Sequence, residues 1–489
     1  MSPADQPGLA MDHAPLAEIE PVTSDRRMRL TAIIVATALF MQNVDSTVIA
    51  TALPAMAKSF HADPLHMSVT LTSYLISLSV FIPASGWVAD HFGSRRVFRA
   101  AIVIFTVASV LCGFATSLWF MVAARILQGL GGAMMVPVGR LVLLRSVSRM
   151  QMIAAMSWLT MPALIGPILG PPLGGFIVTY FSWRLVFDLN VPIGIIGAIA
   201  VTLFIPDLRE PDRGGRLDLA GLLLTGTAMA AMMAGFETAG RNLVPWPWTL
   251  GAFLLGIICA CIYMLHARRH PHPVLDFSLM RIPTFSNSVM AGSLFRIAVG
   301  AMPFLLPMML QIGFGESPLQ SGMVTFASAL GALGMKPAAQ PLLRRFGFRY
   351  TMVINGVLAS LFMAICALFT PAWPSLLISL LLLCGGFFRS LQFTAFNTIA
   401  YSDIPRPRMS AATSLYSTIQ QLTLTLGIVI GAASLEASTA LRHHPHAEPA
   451  DFAIAFVLIG LIAGLSVPVS ARLSPEAGEA VSGHHVDHH

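Results

Sequence analysis

The sequence predicts an all-α polytopic membrane protein of fourteen transmembrane helices: two six-helix bundles plus two additional central helices. Three observations carry this expectation. Of 489 residues, 55% are hydrophobic and 11% are charged, with a mean hydropathy of +0.74. Ordinary soluble domains carry about 25% charged residues, and a soluble core does not absorb so many long apolar runs. Second, about 20 apolar residues span a bilayer. That ruler places spans at 30–52, 66–89, 97–115, 118–144, 152–179, 184–205, 218–237, 248–266, 285–312, 319–342, 350–369, 374–400, 410–435 and 451–471. Third, Leu342–Tyr350 follows the tenth span as Val88–Val97 follows the second, with Gly347 standing for Gly93 and Arg344 for Asp90. Corresponding loops in two halves mark membrane folds built from repeated bundles. Spans 7 and 8, between the charged stretches 207–218 and 266–281, are the surplus pair.

The chain then divides in order. Residues 1–27 read as a disordered cytoplasmic tail, 28–206 as the first bundle, 207–281 as a linker with the extra helices, 282–472 as the second bundle, and 473–489 as a His-rich cytoplasmic tail. The first apolar run continues through Asp45 without a small-residue cleavage site, so it reads as an uncleaved span rather than a signal peptide. With the N-terminus inside, 20 of the 29 basic residues fall in inward loops and tails and 4 in outward ones. Basic loops favour the cytoplasm. An even span count returns both termini there. The net charge of +6 therefore describes loops, not a nucleic-acid surface. All five cysteines lie in apolar runs without ligand spacing and read as small core residues.

The turn Gly86–Arg96, between two apolar runs, holds Asp90, Gly93, Arg95 and Arg96. Asp90 is placed to accept from helix N-terminal N–H groups or to pair with a basic residue. Gly86 and Gly93 allow close approach and positive φ. Charges inside the membrane are costly and mark function by default. Asp45 lies in the outer half of span 1 with Gln42 on the same face; Arg125, Gln128 and Gly129 share a face of span 4 at similar depth. A carboxylate beside a movable arginine is a proton site, since burial raises its pKa and the arginine lowers it. The same placement also fits a static ion pair holding two helices. Span 5 carries Gly166, Gly170 and Gly174 at four-residue spacing, with Pro167, Pro171, Pro172 and Gly175, a stripe for close helix packing on a kinked helix. Span 12 aligns Arg389, Gln392, Phe393, Phe396 and Asn397. Span 13 aligns Ser414, Ser417, Thr418, Gln421 and Thr425, and span 9 holds Arg296. Such polar faces line wet cavities. The tracts His443, His444, His446 and His484, His485, His488, His489 read as solvated segments, with weak metal binding as the alternative. No phosphate-binding loop, nucleophile or metal set is visible, so an enzyme is not expected.

Four motifs carry a family resemblance. Gly86–Arg96 resembles the loop motif between spans 2 and 3 of the major facilitator superfamily, and Arg125-Ile-Leu-Gln128-Gly129 its span 4 motif. Gly166–Gly175 is similar to the antiporter signature of span 5, and Asp45–Pro54 to the span 1 signature of the fourteen-span drug:proton antiporters of EmrB/QacA type. Leu217-Asp218-Leu-Ala-Gly221 also fits that branch. The resemblance covers about residues 28–472. It implies the major facilitator fold, alternating access, and proton-coupled efflux of drugs or related amphiphilic compounds, with no cofactor beyond the proton gradient. It implies a cavity lined by spans 1, 4, 9 and 12. Asp45 and Arg125 then become the candidates for proton coupling. Gln42, Gln128, Arg296, Arg389, Gln392, Phe393, Asn397 and Gln421 become the candidates for substrate. Gly86–Arg96 would gate, and the span 5 glycines would pack a moving interface. One carboxylate against three guanidiniums leaves a cavity of net +2, which favours an organic anion as the alternative cargo. A non-transporting receptor or scaffold would need a partner domain or long tail that the sequence does not offer. The expected partners are a small molecule, protons and the bilayer, with no nucleic acid, a monomeric chain, and room for a periplasmic adaptor.

Overall fold

The computed structural model describes residues 24–61, 69–206, 217–239, 245–442 and 447–484. The expected N-terminal tail to residue 23, the tract His443–His446 and residues 485–489 lie outside the described residues, as do the side chains of Pro167, Pro171 and Pro172. The chain runs α1 Asp25–Phe60, α2 Val69–Phe81, α3 Ser85–Phe92, α4 Ser94–Gly113, α5 Leu118–Ser146, α6 Met152–Tyr180, α7 Leu185–Asp188 and α8 Asn190–Phe204. Next come α9 Leu219–Ala239, α10 Trp246–Ala267, α11 Pro283–Met308, α12 Pro318–Gly334 and α13 Lys336–Ile365. It closes with α14 Ser375–Ile399, α15 Met409–Arg442, α16 Pro449–Gly464, α17 Ser466–Ser470 and α18 Glu479–Ser482.

Among the described residues, 12 helical segments are long and apolar enough to cross a membrane. The sequence expectation of fourteen is thus met in part. Helix α6 occupies the expected fifth span with 29 residues. The expected tenth span, 319–342, is made of α12 and the first part of α13: Met335 between them keeps a right-handed helical backbone and donates to the Gly331 carbonyl, and the chain breaks at Gly347.

Local chemistry explains the breaks. Ser24 caps α1 and Ser117 caps α5, each accepting from a backbone N–H three residues on. Gly93 separates α3 from α4 with φ 88°, a conformation that strains any residue with a Cβ. Gly347 interrupts α13 at φ 68°. The two turns paired by sequence therefore share one backbone feature. Helix α1 packs on α6, α4 and α2 on α5, α11 on α15, and α12 and α13 on α14. Helices α9 and α10 pair as a hairpin, and α9 touches both α2 and α15. Large apolar side chains of α10, among them Leu254, Ile258, Ile262 and Leu265, are exposed, as a lipid-facing helix requires. Cys261 is exposed on the same helix, whereas Cys112, Cys259 and Cys366 are buried and Cys384 is intermediate. The expectation that all five are core residues fails at Cys261, because α10 has a partner along one face only.

Candidate functional site

The geometry centres on a fully buried ion pair. Arg125 Nη1 lies 2.6 Å from Asp45 Oδ2, with neither side chain exposed. Much of the rest of each group is also held, although Arg125 Nη2 is buried with no hydrogen-bond partner among the described residues. Arg125 Nε donates to the Thr70 carbonyl at 3.1 Å, and the guanidinium stands 4.4 Å from the centre of the Tyr74 ring. Asp45 Oδ1 accepts from Gln128 Nε2 at 2.9 Å and from Asn190 Nδ2 at 2.8 Å. Ser109 accepts from both of those amides, at 2.8 and 3.2 Å. Helices α1, α2, α4, α5 and α8 thus converge on one carboxylate.

Small residues permit the convergence. A Cβ on Gly129 would stand 2.6 Å from Ser77 Cβ and 2.7 Å from the Tyr74 carbonyl, so only glycine lets α5 lie this close to α2. Across that contact Ser77 donates to the Ile126 carbonyl at 2.7 Å. A Cβ on Gly170 would stand 2.0 Å from Thr47 Oγ1, and one on Gly166 2.8 Å from Asn43 Cβ. These two glycines therefore seat α6 against α1, within one bundle. They were expected to face a moving interface, but the face of α6 that meets α12, α13 and α14 is a different one. Gly174 is buried with them, whereas a Cβ on Gly175 would meet nothing.

The Gly86–Arg96 turn forms a second knot. Asp90 Oδ1 pairs with Arg145 Nη2 at 2.9 Å, and its Oδ2 accepts from Ser410 Oγ. Gly86 brings the backbones together, since a Cβ there would stand 2.9 Å from the Ser410 carbonyl oxygen. Ser414 donates to the Pro83 carbonyl at 2.7 Å, and Arg149 to the Ser402 carbonyl at 3.1 Å. Arg95 donates to the Thr202 carbonyl of α8. Arg96 is exposed and lines, with Asp90, Arg145 and Leu217, a cavity of about 880 Å³ beside α2, α4 and α5.

The remaining expected site residues do not form one cluster. Arg296 is buried; it donates to the Tyr416 hydroxyl, lies 4.5 Å from that ring and 5.7 Å from the Phe393 ring. Arg389 instead donates to Ser328 of α12 at 2.7 Å. Gln392 is tied into its own bundle by Asn355 Nδ2 at 2.8 Å and the Met352 carbonyl at 3.0 Å. Asn397 Nδ2 returns to the Phe393 carbonyl at 2.8 Å. Gln42 and Gln421 are half-buried on α1 and α15. The polar face of α14 therefore divides between a cavity side and a packing side, a split that helical spacing alone does not reveal.

Two groups were missed, and two basic residues that the sequence places inside spans, Arg140 and Lys336, were given no role. Asn190 and Ser109 complete the Asp45 shell; the signal was a lone Asn inside an apolar run. Arg140 donates to Tyr401 Oη at 3.1 Å and Gln420 Oε1 at 3.3 Å. Lys336 is 6% exposed; its ammonium donates to Thr160 of α6 at 2.7 Å and Thr394 of α14 at 3.0 Å. Arg140, Arg296, Lys336 and Arg389 have no carboxylate within ion-pair distance among the described residues. Outside the spans, burial pushes the Asp276 carboxyl up, but hydrogen bonds from Ser278 and Arg408 outweigh it and hold the group below the usual carboxylate range.

The sequence profile of the Major Facilitator Superfamily matches residues 35–428. "Putative multidrug resistance protein MdtD" of Salmonella heidelberg strain SL476 is 41% identical over 402 residues, 81% of this chain and 84% of that one. Its namesake in Salmonella typhimurium strain LT2 is 40% identical with the same coverage. Among solved structures, the human organic anion transporter MFSD10 superposes with a TM-score of 0.65 at 14% identity, covering 91% of this chain and 99% of that one. The proton:xylose symporter XylE superposes with a TM-score of 0.62 at 13% identity, covering 90% and 94%.

Proposed function

Because the chain belongs to the major facilitator superfamily, a family of membrane transporters, we propose that it is a proton-coupled exporter of drugs or related amphiphilic compounds. In this reading fourteen spans cross a bacterial inner membrane with both termini in the cytoplasm, and two six-helix bundles rock about a central site. The observation that carries it is the buried Asp45–Arg125 pair with its amide shell. A carboxylate held only by hydrogen bonds and one guanidinium has two stable arrangements. Ionised, it keeps Arg125. Protonated, it loses the charge that held Arg125 and can itself donate. The bundle that holds the pair changes its packing between the two, and proton uptake thereby biases one access state.

The cargo would pass beside Arg296, Phe393 and Tyr416, where a cation and aromatic faces meet, with Gln42 and Gln421 along the same route. The Gly86–Arg96 turn would close the cytoplasmic end through the contacts of Asp90 and Gly86 with Ser410. No cofactor beyond the proton gradient is needed. The protein would act as a monomer, and a periplasmic adaptor is compatible with the fold.

A second reading, export of an organic anion, is favoured by buried Arg140, Arg296 and Lys336 and half-buried Arg389, which have no carboxylate partner among the described residues. An isolated cation in a low-dielectric site is costly and attracts an anion. One experiment separates the two. Proteoliposomes loaded with a pH-sensitive dye receive lipophilic drugs and then citrate-like anions. A proton signal triggered by the drugs and lost in Asp45→Asn supports the first reading. A signal triggered by the anions alone supports the second. No signal with either, from a folded protein, refutes proton coupling.

A further inference from the structure

We propose that the base of the α9–α10 hairpin is a binding site for a divalent transition-metal ion, zinc above all, with Asp218, His266 and His270 as its ligands. The inference does not rest on the transport reading. Asp218 immediately precedes α9, His266 lies in the last turn of α10, and His270 follows it by one helical turn's spacing. Pairing of the two helices brings these points together. His266 Nε2 lies 2.8 Å from Asp218 Oδ1. The His266 and His270 rings stack with centroids 5.2 Å apart, and one ligand atom from each of the three residues lies within 4.8 Å of the others.

The donor set fits. Zinc takes imidazole nitrogen at about 2.0–2.1 Å and carboxylate oxygen at about 2.0–2.2 Å, and three protein ligands leave a position for water. Around such an ion, neighbouring ligand atoms sit roughly 3.3 Å apart. Reaching that spacing requires the half-exposed His270 ring to close in and the 2.8 Å His266–Asp218 contact to open slightly. Two nitrogen ligands and one oxygen ligand suit zinc, nickel or cobalt better than magnesium, which prefers oxygen.

The second observation is the carboxylate itself. Asp218 is 5% exposed. Its Oδ1 accepts from the Gly221 N–H at 2.7 Å as well as facing His266, but Oδ2 is buried and has no hydrogen-bond partner among the described residues. A buried, unsatisfied carboxylate oxygen is expensive, and a cation satisfies it. Space is kept for the group, since a Cβ on Gly221 would stand 2.0 Å from Oδ2. The approach to His270 is also shaped. Tyr263 Oη accepts from the Leu275 N–H at 2.7 Å and donates to the Leu275 carbonyl at 3.0 Å, which folds the segment after His270 back onto α10. The competing account is a plain His266–Asp218 contact that fastens the two helix ends, with His270 a bystander.

The test is zinc titration of the purified full-length chain by calorimetry, with zinc content per chain measured after gel filtration. The terminal and loop histidine tracts also attract zinc, so His270→Ala is compared with the parent both in the native chain and in a chain with His443, His444, His446, His484, His485, His488 and His489 changed to Ala. His270 is chosen because its loss leaves the His266–Asp218 contact in place. The proposal expects one zinc fewer per chain in the native background. In the tract-free background it expects a single site that weakens about tenfold or more in His270→Ala and in Asp218→Asn. Magnesium should give no heat. Equal stoichiometry and equal Kd in parent and His270→Ala, or no binding in the tract-free chain with an unchanged thermal midpoint, overturns it.

Discussion

Asp45→Asn is the sharpest perturbation of the proposed mechanism. The amide is nearly isosteric. Its oxygen still accepts from Gln128 and Asn190, which lie at 2.9 and 2.8 Å. Its NH2 then faces Arg125 Nη1 across the former 2.6 Å contact, donor against donor. Arg125 is left charged and fully buried. Breaking a buried pair by removing one partner costs about 3–5 kcal/mol. Arg125 keeps the Thr70 carbonyl at 3.1 Å and the Tyr74 ring face at 4.4 Å, so the low end applies: about 3 kcal/mol, or roughly two decades in an equilibrium constant. The assay is compound-triggered proton movement in proteoliposomes, paired with the thermal midpoint in detergent. The expected outcome is a lowered midpoint and no proton signal at any external pH. Asp45→Asn/Arg125→Gln should regain part of the midpoint, because no charge remains buried alone, while proton movement stays absent. Parent-like exchange with the parent's pH dependence in Asp45→Asn would refute the reasoning, since no other carboxylate among the described residues pairs with Arg125.

Further outcomes follow from single contacts. Gly93→Ala and Gly347→Ala should each destabilise by about 1–3 kcal/mol, because both positions have positive φ; thermal unfolding in detergent reads the loss. Gly170→Ala should cost about 1–3 kcal/mol by overpacking against Thr47, and Thr47→Ala in the same chain should recover much of it, as a double-mutant cycle will report. Asp276 is held below its ordinary pKa by Ser278 and Arg408. Its contribution is therefore full above the unfolded value of about 3.9 and is lost as pH falls through the lower folded value. The stability difference between parent and Asp276→Asn should be constant near neutrality and vanish only at strongly acidic pH.

The helical architecture was legible because apolar length is a one-dimensional quantity. The expected tenth span, 319–342, runs through Met335, whose backbone stays helical, and the turn that ends it falls at Gly347, just past the apolar run. The Asp45–Arg125 contact was legible for a similar reason, since depth along two helices can be counted. Rotation about a helix cannot be counted so well. Arg389, Gln392 and Phe393 share one stripe of α14 in sequence, yet the structure turns Gln392 into α13 and Arg389 towards α12. Gly166 and Gly170 likewise announce close packing, but nothing in a single sequence names the helix they pack against. Asn190 was invisible for another reason. It completes the shell of a residue 145 positions away, and only the fold brings them together.

The nature of the bonds between the two bundles bears on whether such a molecule can switch. At the end carrying the Gly86–Arg96 turn they are hydrogen bonds: Ser410 to Asp90, Ser414 to Pro83, Arg149 to Ser402, Arg140 to Tyr401 and Gln420, and Lys336 to Thr160. The strong ion pairs, Asp45 with Arg125 and Asp90 with Arg145, lie within one bundle. Opening that end to water exchanges protein partners for water at a net cost of about 1 kcal/mol for the neutral Ser414 bond and about 1.5–3 kcal/mol for those with one charged partner, whereas splitting the fully buried Asp45–Arg125 pair would cost about 3–5 kcal/mol. The paired charges thus lie inside one bundle, while the contacts between bundles, several with one charged partner, are ones that water can replace. Lys336 fits the proposed cycle in one further respect. Its two hydroxyl partners come from different bundles, so separation halves its hydrogen bonding at the moment water, or an anion, gains access to replace it.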